Sequence, residues 1–195
     1  AMKKSFTLLF CLYSLVAAAQ TQVLITNVQI LNGIDEKTIT GNVLIVNNLI
    51  TKVSAAPIPT NKSGTTKIID GKGKFLMPGL IDAHWHSIMT ANTLEDLMDG
   101  EPGYAFIKAG EEAQNTLLRG FTSVRDLGGP AFGLKKAIDE GVINGPRIWP
   151  SGSIISQTSG HADFRNVNER PVSLGGSLHH SEEIGGATIA DGKDA

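Results

Sequence analysis

Apolar positions come in short runs through the first part of the chain and at helical spacing further on, so two kinds of structure are predicted. Val23 to Leu31, Gly41 to Val46, Leu49 to Val53 and Lys67 to Asp70 read as β-strands bounded by polar or turn-forming residues. Asn47-Asn48 joins the middle pair, and asparagine tolerates the positive φ of a tight hairpin turn. Pro57, Pro59 and the Asn61-Lys62-Ser63-Gly64 stretch predict a loop, and Gly71-Lys72-Gly73 leads out of what is a small β-domain.

The pattern changes after Pro78-Gly79. Leu80 to His86 reads as a strand, and Tyr104 to Arg119 places Phe106, Ala113 and Leu117 at helical spacing, with Gly120 set to close the helix. Phe121 to Asp126 is a second strand. A helix at about Phe132 to Glu140 stops at Gly141, and a third strand at about Arg147 to Ile154 follows the Gly145-Pro146 turn. Strands alternating with helices predict a parallel α/β sheet, doubly wound or closed into a barrel. Ser156 to Ala195 is rich in Gly, Ser, Asn and His and reads as irregular, with a helix beginning within Gly185 to Ala195. Such a segment after the C-terminal end of a strand is where α/β proteins carry their active-site loops.

Composition narrows the class. With 195 residues, 41% hydrophobic and 18% charged, the chain can bury a core. A formal charge of -2 gives no electrostatic reason to expect nucleic acid or an anionic membrane as partner, so small molecules become the default ligands. The first residues are separate: Lys3 and Lys4, then an uncharged run from Phe6 to Ala19, then the small residues Ala17-Ala18-Ala19. This is the order of a secretory signal peptide, and the apolar run is shorter than the roughly 20 residues that span a bilayer. The expectation is a signal peptide over 1–19, cleavage near Ala19-Gln20, export, and no membrane association afterwards. Cys11 is the only cysteine. It lies inside the apolar run behind the bulky Phe10, which disfavours lipid attachment, and its removal leaves no thiolate for catalysis or zinc. The chain is thereby divided into 1–19, a β-domain over 20–75, and α/β units over 76–195.

The segment with the clearest chemistry is Met77-Pro-Gly-Leu-Ile-Asp-Ala-His-Trp-His86. Side chains alternate across a strand, so His84 and His86 project together while Trp85 points oppositely, free to pack under a helix layer. Two imidazoles on one face form a sound chelate for zinc or a similar divalent ion. The spacing alone also fits two partly buried polar residues.

Pro78-Gly79-Leu80-Ile81-Asp82-x-His84-x-His86 resembles the signature at the first barrel strand of the amidohydrolase superfamily, and the β-rich segment before it resembles the first half of that family's composite β-sandwich domain. Gly120 to Gly129 looks like the second strand and its loop. Asn144-Gly145-Pro146-Arg147-Ile148 with Ser159-Gly160-His161 is similar to the third strand and loop in the branch of Xaa-Pro dipeptidases and imidazolonepropionase-like enzymes. The resemblance implies an N-terminal part of a (β/α)8 TIM-type barrel holding one or two divalent metal ions, zinc foremost, at its C-terminal mouth. It further implies a lysine, two histidines and an aspartate from later strands. None has a matched position here, so the catalytic residue is expected beyond Ala195, and the chain is expected to be part of a longer enzyme, inactive by itself.

Other residues carry two readings each. His161, in a Gly-flanked loop expected at the mouth, is a candidate substrate contact or a solvent-exposed histidine. Asp126, ending the second strand, is a candidate for supporting the metal ligands from behind, or for an ion pair with Arg125 or a helix N-terminal contact. Asp82 reads as buried, hydrogen-bonded and orienting a neighbour. His179-His180 reads as a surface loop, and Gly128-Gly129-Pro130 as a turn opening a helix, since the glycine spacing of a nucleotide loop is absent. The expected function is hydrolysis of a C–N bond in an Xaa-Pro dipeptide or N-acyl amino acid. Cyclic-amide hydrolysis like that of imidazolonepropionase, or a non-catalytic exported binding module, are the alternatives, and homo-oligomers are compatible with any of them.

Overall fold

The computed structural model describes residues 21–60 and 66–193. The signal-peptide reading, the Asn61 to Gly64 stretch and the last two residues lie outside the described residues. The chain divides into two compact units between Pro78 and Gly79.

The first unit is a mixed sheet. β1 (Gln22–Ile30) pairs antiparallel with β2 (Ile39–Val46), which pairs antiparallel with β3 (Leu49–Ser54); β4 (Thr66–Asp70) and the two-residue β5 (Phe75–Leu76) run parallel to β1. Asn47 takes the positive φ of 57° that the hairpin demands. Val28, Ile30 and Val43 are buried together, with Ile25, Ile45 and Leu76 packed around them. β5 was not predicted, because two residues carry no periodicity.

The second unit is built on the parallel sheet β6-β7-β8: β6 (Leu80–Trp85), β7 (Phe121–Asp126) and β8 (Arg147–Pro150). Helices α2 (Pro102–Leu118) and α3 (Phe132–Asp139) connect these strands, so each crossover is the strand-helix-strand unit predicted from the pattern. Gly120 (φ 99°) and Gly141 (φ 73°) follow the two helices in the conformation that glycine adopts without steric cost. The core between sheet and helices comprises Val124 and Ile148 from the strands, Ala109 and Ala113 from α2, Leu134 from α3, and Ile88. Trp85 packs against this cluster and stacks on Phe121 at 6.4 Å. The small alanines of α2 let the helix lie close over the strands.

Three sequence expectations are corrected and one helix was missed. The third strand stops at Pro150, which has no N–H to extend the ladder, and Gly152 turns the chain at φ 89° before β9 (Ile154–Ser156) begins. Gly185 to Ala195 does not start a helix: β10 (Ala187–Ile189) lies there and pairs parallel with β9. His179-His180 is not a loop but the start of α4 (His180–Glu183), where His179 Nδ1 accepts from Ser181 N and the Glu182 carboxylate accepts from His179 N. A short α1 (Leu94–Met98) was missed although Thr93 and Asp96 form a capping box, a signal legible in Thr-x-x-Asp. Among the described residues no helix is long and apolar enough to cross a membrane.

Candidate metal centre

β6 delivers His84 and His86 to the C-terminal edge of the parallel sheet, where α/β enzymes place their chemistry. The two rings lie with centroids 5.3 Å apart and planes at 70°. Imidazoles bound through nitrogen at roughly 2.0–2.1 Å to one tetrahedral ion hold their centres about 5 Å apart, so the separation suits a shared ion. His84 is exposed and His86 half-buried. A register shift between Asp82 and Trp85 bulges the strand at this point. Bulges re-aim side chains beside functional sites.

Nδ1 of His86 lies 3.2 Å from the carbonyl oxygen of Gly128. A carbonyl only accepts, so the proton of this contact sits on Nδ1, and Nε2 is the ring nitrogen left to face an ion. This is how metal-binding histidines are commonly oriented. Gly128 is buried, and a Cβ there would collide with Ile154 and come within 3.5 Å of His86 Cε1. The turn reading of this segment therefore missed a requirement for close approach, which a glycine directly after a strand end hints at.

Asp126 is fully buried, and its carboxylate accepts from Ser87 N (2.7 Å) and Gly128 N (3.1 Å). It thus clamps the residue after His86 to the residue that holds the His86 ring. Two amide donors satisfy the charge in place of a cation. Arg125 does not pair with it, and its guanidinium reaches the Trp149 carbonyl at 3.4 Å instead. The ion-pair alternative is thereby corrected: neighbours in a strand point to opposite faces. Strand ends are further tied by Leu127 N to Trp85 O (2.8 Å), Ser151 N to Asp126 O (2.9 Å) and Gly129 N to Gly152 O (3.0 Å). Asp82 is half-buried and accepts from the backbone N–H of His84 at 2.9 Å.

His161 stands exposed on the turn after β9. Among the described residues no group of three or more His, Cys, Asp or Glu side chains could hold an ion. His84 and His86 by themselves supply two of the donors that such a site would need. Asp163 and Arg165, two and four residues beyond His161, form an ion pair with side chains 5% and 8% exposed. Sequence reasoning passed over them, although an Asp-x-Arg pair beside a Gly-flanked histidine was visible.

A family model described as the amidohydrolase family matches residues 75–188. The chain belongs to the amidohydrolase family, and its parallel sheet and helices are the first units of that family's barrel, as the sequence resemblance implied. Among solved structures it is similar to a prolidase complexed with N-methylphosphonate-L-proline, with a TM-score of 0.74 and 31% identity over 90% of this chain and 42% of that one. It is also similar to a Xaa-Pro dipeptidase with bound methionine in the active site, with a TM-score of 0.65 and 28% identity over 77% of this chain and 39% of that one. A curated relative, the ochratoxinase of Aspergillus niger, is 37% identical over 92 residues, 46% of this chain and 19% of the relative. The chain thus spans less than half the length of these proteins.

Proposed function

We propose that the whole protein hydrolyses a carbon–nitrogen bond of a small substrate, an Xaa-Pro dipeptide or an N-acyl amino acid, using a divalent metal held in part by His84 and His86. Family membership and the likeness to a prolidase and a Xaa-Pro dipeptidase support the reaction class. The observation that carries the reading is the pair of imidazoles 5.3 Å apart at the mouth of the sheet, one of them fixed by the Gly128 carbonyl.

When bound, a divalent metal such as zinc supplies Lewis acidity toward water and an amide carbonyl. The chain's own residues hold and orient. His84 and His86 offer ring nitrogens from one strand face, and the Nδ1 proton of His86 stays on Gly128 O, which keeps Nε2 free. Asp126 fixes both ends of that contact through two backbone amides. His161 meets the substrate from the turn after β9. None of these residues attacks the substrate, and the proton-handling group is assigned to a later strand. The leader over 1–19 directs the protein out of the cytoplasm, so its substrates are extracytoplasmic.

The experiment is turnover of Xaa-Pro dipeptides, N-acyl amino acids and a cyclic amide by the whole protein, beside its H84A/H86A variant. The reading expects hydrolysis of the linear substrates that the variant loses. Cleavage of the cyclic amide alone, or full activity in the variant, contradicts it.

A further inference from the structure

We propose that Asp163 and Arg165 are positioning residues for substrate recognition, holding the turn 157–163 so that His161 projects from a rigid segment. The inference rests on the proposed hydrolysis, in which His161 meets the substrate.

The turn leaves β9 and immediately enters a conformation that side chains disfavour: Ser159 has φ 61°. Its backbone N–H donates to Asp163 Oδ2 at 2.6 Å. The same carboxylate accepts from Arg165 Nε at 2.8 Å, Arg165 N at 3.3 Å and Arg165 Nη2, while Nη1 donates to Glu169 O at 3.1 Å. Upstream, Thr158 N and Oγ1 donate to the two oxygens of Asp191 at 2.7 and 2.6 Å. Gly160 N donates to Gln157 O at 2.8 Å, and a Cβ on Gly160 would collide with Ser156 Oγ. Ala162 is wholly buried, and its N–H donates to Ser156 Oγ at 3.3 Å. Between these two tightly packed neighbours His161 alone is exposed.

An ion pair whose side chains are only 8% and 5% exposed gives up much of its hydration, which offsets most of its attraction, so net stability alone does not account for it. What it does is hold a strained turn, and strain of this kind is kept where surrounding structure over-determines it at working sites. Preorganisation of this sort acts on affinity, since a ligand then loses less freedom of its site on binding.

The test uses the whole protein with D163N, R165K, R165M and H161A variants, assayed on Ala-Pro, Leu-Pro and N-acetyl-L-proline. D163N and R165M are expected to raise KM between roughly tenfold and a hundredfold, with kcat within about twofold, and R165K to recover part of the loss. H161A is expected to raise KM similarly, and adding D163N to H161A to add nothing further. Additive losses in that double variant, or a fall in kcat alone, would overturn the proposal. If the wild-type protein turns over no probe, the functional reading fails by itself. Amide exchange at residues 158–163 then decides the positioning claim: faster exchange in D163N supports it, and unchanged protection overturns it.

Discussion

Asp126, fully buried, and Asp163, half-buried as a residue with a side chain 5% exposed, both accept backbone amides beside a histidine, yet their partners differ. Among the described residues Asp126 has two N–H donors and no cation, and it closes a ring of contacts through Gly128 onto the imidazole of His86. Asp163 accepts from the Arg165 guanidinium as well as from the Ser159 and Arg165 amides, and among the described residues none of its hydrogen bonds goes to the His161 ring. The first arrangement fixes a ring's orientation and tautomer, as a metal ligand needs. The second fixes where a side chain starts and leaves its ring free, which suits a group that meets a ligand of its own.

The largest effect expected from this contrast is at Asp126. Replacing it with alanine leaves Ser87 N and Gly128 N buried without an acceptor, costing roughly 3 kcal/mol, read as a lower denaturant midpoint. A midpoint unchanged from wild type would remove the clamp. Gly128→Ala comes next: overpacking against Ile154 costs about 2 kcal/mol, and metal affinity falls because the carbonyl under His86 shifts. Stability lost with metal affinity intact would separate the two roles.

A milder effect concerns Asp163 and acid. The Arg165 guanidinium, aided by the Ser159 and Arg165 amides, holds its carboxyl below the usual carboxylate range. A depressed folded pKa contributes stability that is present above the unfolded value near 3.9 and lost as pH falls through the folded value. Protection of amides 158–163 should therefore hold above about pH 4 and decline below it, and a decline already complete near neutrality would contradict the pairing. The smallest effect is at Ser87, whose hydroxyl is buried without a hydrogen-bond partner among the described residues. Ser87→Ala should change stability by less than about 0.5 kcal/mol, because Asp126 uses the Ser87 amide and not its side chain. A large loss would mean that the hydroxyl also takes part.

These contrasts were only partly legible in the sequence. Strand alternation placed His84 and His86 together because period-two geometry is local, and Gly120 and Gly141 marked helix ends because positive φ is a property of one residue. The break after Pro150 was overlooked although Pro150-Ser151-Gly152-Ser153 interrupts the apolar residues Ile148, Trp149 and Ile154, and the pairing of Ile154 with Ala187 shows that the chain has changed sheets. His179 was missed as a helix cap since imidazole is not among the usual capping groups. The role of Asp126 was half visible. Its place at a strand end fitted support of the histidines, an ion pair with Arg125 or a helix N-terminal contact, and its actual partners are amides 39 and 2 residues away, because backbone donors leave no trace in residue identity. The Asp163 clamp was hidden for the same reason, apart from the arginine beside it.

The central claim is that His84 and His86 hold a metal from one strand. It is tested most directly by anomalous diffraction at the zinc edge from crystals of the whole protein grown with zinc. The account predicts a peak bound to both rings at roughly 2.0–2.1 Å, with Nδ1 of His86 still on Gly128 O. A fully loaded protein whose ions lie away from both histidines would contradict it.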